Sequence, residues 1–283
     1  LSAAITGLSL FATTVGVFWQ GSGQPIHFRT LHGQAVLLQG RGLYRYDTVS
    51  FAAQGIAQDV VTLAIAIPLL IISMGLARRG GVRGKLLLTG TLGYFLYTYA
   101  SYAFGAAYNP LFLVYVALFS LSLFGFVLAI MSVDLTTLPS HFSERLPRRG
   151  ISVFLYALGA FLLLAWLGRI VPSLLANVPP EGIESYTTLI IQALDLGLVI
   201  PVALLAGLLL WRKQPWGYLL ASVVLVKGLT LSLAVSAMVV NMVRTGVTVS
   251  VVEAVVFPTI ALIDLGLTVA LLRSIVEPSA APG

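Results

Sequence analysis

The sequence predicts an all-α integral membrane protein, a bundle of about eight transmembrane helices, and three observations predict it. Of the 283 residues, 58% are hydrophobic and only 9% charged, whereas soluble domains carry about 25% charged residues. The apolar residues come in long continuous runs, where a strand of a β-barrel would alternate. A helix needs about 20 mostly apolar residues to cross the hydrocarbon, and several runs reach that length. Ten of the sixteen basic residues, finally, fall into loops on one side when eight spans are drawn.

The apolar windows are roughly 3–19, 57–77, 86–107, 111–133, 151–175, 188–211, 218–243 and 251–273. The whole chain, 1–283, therefore reads as a single transmembrane domain. Window 3–19 is read as a first span rather than a retained signal-like segment. The chain begins at Leu1 and not at Met, so residues upstream are expected. A long outer loop, 20–55, follows and carries His27, His32 and Tyr44-Arg45-Tyr46-Asp47. From about Thr48 this loop is expected to turn helical and lead into the second span.

Arg78, Arg79, Arg83 and Lys85 lie between the second and third windows, and Arg145, Arg148 and Arg149 between the fourth and fifth. Arg212 and Lys213 follow the sixth, and Arg273 ends the eighth. Arg29, Arg41, Arg45 and Arg244 fall on the other side. Positive charge collects on cytoplasmic loops, so both termini are placed in the cytoplasm and the membrane is read as a plasma (inner) membrane of bacterial type. The same rule accounts for the net charge of +6 without a nucleic-acid partner. Trp19, Trp166, Trp211 and Trp216 lie near window ends, as interfacial aromatics do. Pro68, Pro201 and Pro258 lie inside windows and are expected to kink them.

The two halves of the chain resemble each other as parallel four-helix repeats, units 1–135 and 150–275. Asp59, Pro68 and Arg78-Arg79 are matched in order and spacing by Gln192, Pro201 and Arg212-Lys213. Gly84-Lys85-Leu86-Leu87 is matched by Gly217-Tyr218-Leu219-Leu220, which sets Tyr94 opposite Lys227. Parallel repeats of this kind occur among transporters. The alternative is that helices rich in Leu, Ala and Val resemble one another by composition alone.

Ionisable side chains inside spans carry the functional argument. One charge at the bilayer centre costs about 2.5–3.5 kcal/mol, so such groups must face the interior, pair, or lose their charge. Asp195, Lys227 and Asp264 are the deepest, and Lys227 is expected to pair with one of the two aspartates. Gln192 shares a helix face with Asp195. Asp59, Tyr94, Arg169 and Glu253 complete the candidate ligand- or ion-binding set, although Arg169 and Glu253 lie near enough to the interface to serve structure alone. Tyr94, Thr98, Ser101 and Tyr102 form one polar stripe, Lys227, Thr230 and Asn241 another, and Gln54, Gln58 and Thr62 a third. Isolated Ser and Thr in spans are more often interhelical glue than ligands.

No cysteine is present, which excludes disulfides, thiolate catalysis and Cys-ligated metals. His27 and His32 make a poor metal site, and no metal or cofactor is named by any motif. The implied function is a small-molecule or ion transporter, with proton coupling at Asp195 or Asp264, built round an outward-facing polar cavity. Its partners are the lipid bilayer and a small-molecule or lipid ligand. A structural or accessory subunit, with membrane-protein partners, and an intramembrane enzyme acting on a lipid-like substrate are the alternatives.

Overall fold

In the computed structural model, which describes residues 1–277, the chain is an all-α bundle of eight helices. They are α1 (Ser2–Phe18), α2 (Val49–Arg78), α3 (Val82–Gly105), α4 (Phe112–Met131), α5 (Arg148–Ala176), α6 (Ile190–Trp211), α7 (Pro215–Arg244) and α8 (Val251–Ser274). Six of them, all but α1 and α3, are long and apolar enough to cross a membrane. Helix α1 is a shorter apolar helix, and α3 runs 24 residues with Arg83, Lys85 and a column of tyrosines. Leucines on the outer faces are bare, Leu113 at 76% exposed and Leu164 and Leu262 at 71%. Such a surface suits lipid and not water.

The ends are set by local chemistry. Thr48 caps α2 by accepting the Phe51 N–H at 3.2 Å. This cap starts the helix at Val49, eight residues before the apolar window, because Gln54, Gln58 and Asp59 dilute the hydropathy without breaking the helix. The loop proper therefore ends at Thr48, about where it was expected to turn helical. It holds an antiparallel hairpin, β1 (Ile26–Arg29) with β2 (Ala35–Leu38), that the apolar pattern did not announce. Ser250 and Glu253 form a reciprocal capping box on α8, satisfying two of the N–H groups that a helix start leaves free.

Two helices depart from regular α geometry in the same way. In α2 residues Thr62–Ala66 form a π turn, and the Ile67 N–H reaches the Thr62 carbonyl just before Pro68. In α6 residues Asp195–Val199 form a π turn, and the Ile200 N–H reaches the Asp195 carbonyl just before Pro201. π turns are rare and gather at functional sites. The turns that follow also agree. Gly80 and Lys213 both have positive φ, +82° and +58°. A Cβ on Gly84 would strike the backbone of Leu76 and Ala77, and one on Gly217 that of Leu209 and Leu210.

Helices α3 and α7 cross at the centre of the bundle. The crossing is close because Gly90 sits on Val226 and Gly93 on Val223, the small-residue packing common between membrane helices. Around this pair α2 packs on α3 and α7, and α6 packs on α7 and α3. Helix α1 lies on α2 and α4, while α5 lies on α6. The first half has its core in Ile5, Tyr94, Phe95, Tyr99, Tyr102, Tyr115 and Leu118. The second has its core in Leu155, Ala203, Leu210, Leu219 and Leu225, near the end that carries the basic loops.

That end is tied shut. The Arg83 guanidinium donates to the carbonyls of Leu272 and Ile275 at 2.9 and 2.7 Å. Glu277 accepts the Val82 and Arg83 N–H groups at 3.0 and 2.8 Å, a carboxylate on a helix N-terminus. Lys85 donates to the Ser132 carbonyl at the end of α4, and Arg148 donates to the Tyr218 hydroxyl.

Candidate functional site

A cavity of about 970 Å³ opens among α2, α3, α5, α6, α7 and α8, at the upper end of the size range for small-molecule sites. Asp195, Lys227 and Asp264 all line it, as do Gln192, Arg169 and Glu253. Six of the eight candidate residues are thus brought to one space. The remaining two, Asp59 and Tyr94, do not line it.

Tyr97 of α3 also lines the cavity. Its hydroxyl donates to Asp195 Oδ1 at 2.8 Å, and Trp166 of α5 donates from Nε1 to Asp195 Oδ2 at 2.9 Å. The ammonium of Lys227 lies over the Tyr97 ring, 4.0 Å from the centroid, a cation–π contact. The expected pairing of Lys227 with an aspartate therefore takes a different form. Tyr97 separates the two charges and engages both, one through its hydroxyl and one through its face.

The position of Asp195 follows from the π turn that begins on it. Asp264 lies deeper, 1% exposed. Its Oδ1 accepts from Thr268 at 3.1 Å, and its Oδ2 has no hydrogen-bond partner among the described residues. A Cβ on Gly228 would stand 2.8 Å from that oxygen, so the carboxyl group rests against the backbone next to Lys227. An unpartnered buried carboxyl oxygen costs free energy and is available to a ligand or a proton.

Two loops roof the end of the cavity away from the basic loops. Phe28, Leu38 and Tyr46 of the first loop reach the cavity, and so does the loop between α5 and α6, from Gly182 to Leu189. The loops are stitched together at Asp47 and Thr48. Asp47 Oδ1 accepts from the Ala107 N–H at 2.7 Å and from the Tyr186 hydroxyl at 2.9 Å, and the Thr48 hydroxyl donates to Glu184. Burial is the main reason that the Asp47 carboxyl is pushed up to about 7, and the two hydrogen bonds oppose it. Arg169 lies under this roof with its guanidinium against Gly182, and its buried Nε has no partner among the described residues.

Asp59 belongs to a different, filled place. Tyr44 donates to its Oδ2 at 2.5 Å, Tyr102 lies 3.3 Å from its Oδ1, and Gly16 of α1 covers it. Tyr99 and Tyr115 stack beside them. Tyr94 is fully buried, accepts from Gln58 at 2.7 Å and pairs with Thr62 at 2.8 Å. Gln58 also donates to Thr98, which joins α2 to α3. Asn241 donates to the Ala53 carbonyl at 2.8 Å, and Thr230 returns to its own helix at Val226. These bonds tie the helices together, while Gln54, Gln58, Thr98, Ser101 and Tyr102 of the same stripes also line the cavity, and Glu253, which lines it too, closes the capping box of α8.

Sequence reasoning missed Tyr97 and misplaced Trp166. Tyr97 lies one residue off the Tyr94/Thr98 stripe, and nothing in its own surroundings marks it. Trp19, Trp211 and Trp216 are about half exposed near helix ends, as interfacial anchors are. Trp166 instead points inward, ten residues before the end of α5, and its N–H serves Asp195. No protein family, no curated protein and no solved structure matches this chain.

Proposed function

We propose that this chain is an eight-span carrier that takes a small charged molecule from the outer side of a plasma (inner) membrane, with proton coupling at Asp195 or Asp264. The observation that carries the reading is the cavity of about 970 Å³ with Asp195, Tyr97 and Lys227 on its wall. Ionisable groups deep in a helical bundle are expensive, and they mark substrate or ion paths. Asp195 held by two donors fixes one end of the set, and the buried Oδ2 of Asp264, without a partner among the described residues, supplies an acceptor that a proton can occupy.

Eight spans are supported by the charge distribution. The basic loops meet at one end of the bundle, around Arg83, Lys85 and Arg148, and the hairpin and the 182–189 loop meet at the other. With the basic end cytoplasmic, both termini lie inside and the cavity faces out. Two parallel repeats are supported by one constant offset of 133 residues. It relates the π turns at 62 and 195, the prolines at 68 and 201, the positive φ at 80 and 213, and the close glycines at 84 and 217. It also exchanges the contacts Gly90–Val226 and Gly93–Val223. Each unit has four helices, so the halves share orientation and are related by an axis along the membrane normal.

The test is transport by the purified protein in liposomes. A panel of small organic anions and cations is offered under a pH gradient, with an internal pH dye reporting protons. At least one solute enters together with protons. Asp195→Asn lowers that flux by about tenfold or more, a loss of about 1.4 kcal/mol or more, while the protein elutes unchanged on gel filtration. An Asp195→Asn protein that carries as fast as the parent overturns the mechanism.

A further inference from the structure

We propose that the ligand of this cavity is an anionic amphiphile, a carboxylate or phosphate on a long apolar tail, which enters sideways from the bilayer between α5 and α8. The inference rests on reading the cavity as a ligand site, and it holds whether or not the ligand is then carried across.

The sideways route comes from the packing. In the first half α1 closes against α4, with Ile5 fully buried beside Gly125. In the second half the helices in the corresponding places hardly meet. Helix α5 packs on α6 and α8 packs on α7, and between them Phe161 and Phe257 make an edge-to-face ring pair at 6.5 Å. Both edges of this slot belong to the cavity wall, through Leu158 and Leu162 on α5 and Phe257 and Ile260 on α8. Beside the slot the outer surface is apolar, with Leu164 and Leu262 bare. A void with apolar walls that opens toward hydrocarbon suits an alkyl chain.

The charge of the headgroup follows from which donors and acceptors are already used. Asp195 accepts from Tyr97 and Trp166, Glu253 from Ser250, and Glu184 from Thr48. The cations keep their donors. Among the described residues neither Lys227 nor Arg169 donates a hydrogen bond, and the Arg169 Nε is buried without a partner. Lys227 and Arg169 both line the cavity, so an anionic headgroup there meets two cations whose donors are unspent among the described residues, and the buried Asp264 Oδ2 remains for a proton.

The experiment uses Trp166, which stands at the site. Trp19→Phe, Trp211→Phe and Trp216→Phe together leave it as the single tryptophan. The protein is placed in nanodiscs of unbrominated phosphatidylcholine and titrated with 9,10-dibromostearate, whose bromines quench on contact. Saturable quenching is expected, weakened about tenfold by Lys227→Met or Arg169→Gln and by use of the uncharged methyl ester. Butyrate and inorganic phosphate do not compete. The chain has no native cysteine, so Phe161→Cys with Phe257→Cys gives the sole thiols, and a short bismaleimide bridge between them abolishes quenching. The same protein before bridging is its own folding control. Quenching that never saturates, or that is as strong with the ester, overturns the anionic amphiphile. Competition by butyrate or phosphate at equal potency assigns the site to a free soluble anion and overturns it too. Quenching untouched by the bridge overturns the sideways route. Saturable binding without flux in the liposome assay sinks the carrier reading alone, and flux of a soluble solute without binding sinks this inference alone.

Discussion

Tyr97 and Asp47 show how single residues are placed between competing demands. Tyr97 lets an ammonium and a carboxylate share one wall without collapsing into a direct pair. At Asp47 the demand is on the roof of the cavity, where one carboxyl oxygen has two donors and the other is buried with none among the described residues. Its folded value of about 7 lies above the usual 3.8. The folded protein therefore holds a proton that the unfolded chain has released. Stability conferred by the neutral carboxyl is complete below about pH 4 and is lost as pH rises toward 7, at up to about 1.4 kcal/mol per unit crossed. In Asp47→Asn the amide replaces the protonated group and keeps the acceptor for Ala107 and Tyr186. Thermal unfolding in detergent between pH 4.5 and 8 is expected to decline for the parent and to stay flatter for Asp47→Asn. Parallel curves would show that the roof does not depend on this proton.

At the scale of elements, what was legible was whatever water and lipid dictate. The eight apolar windows lie on the eight helices because continuous apolar runs have no other stable home in a bilayer. The start of α2 was legible from Thr48, since a capping hydroxyl declares itself locally. The hairpin was not, because Ile26–Arg29 and Ala35–Leu38 are four residues each and too short to show alternation. Six candidate side chains reached one cavity because intramembrane charge must be sheltered. Tyr97 and Trp166 escaped because tyrosine and tryptophan occur at interfaces, in cores and in sites alike. Asp59 was read as a shallower member of the same set as Asp195, and its separate enclosure was not legible, since the tyrosines that bond it come from α3 and from the loop residue Tyr44.

The crossing of α3 and α7 gives the prediction that belongs to this scale. A methyl group on Gly90 would stand 2.5 Å from Val226 Cβ, closer than packed atoms approach. Gly90→Ala is expected to destabilise the protein by about 1–3 kcal/mol, and by much less in a Val226→Gly chain, where the Cβ that the new methyl would strike is gone. Thermal shift of the two single variants and the double variant measures the coupling. Simple additivity would mean that the helices do not touch there.

For the whole molecule, the claim open to direct test is its orientation. Leu31 is 87% exposed at the tip of the hairpin, and Arg79 is exposed at the opposite end of the bundle. In the cysteine-free chain each can be replaced singly. Leu31→Cys in intact bacterial cells is expected to react with a membrane-impermeant maleimide, and Arg79→Cys only after permeabilisation. The reverse pattern would invert the protein in its membrane, and labelling of both from one side would rule out eight spans.

The π turn at Asp195–Val199 holds one residue more than regular winding requires. Everything upstream of it is therefore out of phase with everything downstream, so α6 is two helical faces spliced at Asp195. Deleting Leu198 alone should bring them back into step, leaving Ile200 bonded to the Asp195 carbonyl but only four residues on, and turn the carboxylate off its two donors, Tyr97 and Trp166. Pro201 and the basic stop would stay where they are. A chain shortened by this single letter should still insert and fold, yet Trp166 emission should shift as its N–H loses its acceptor; an unchanged spectrum would mean that the extra residue is ornamental.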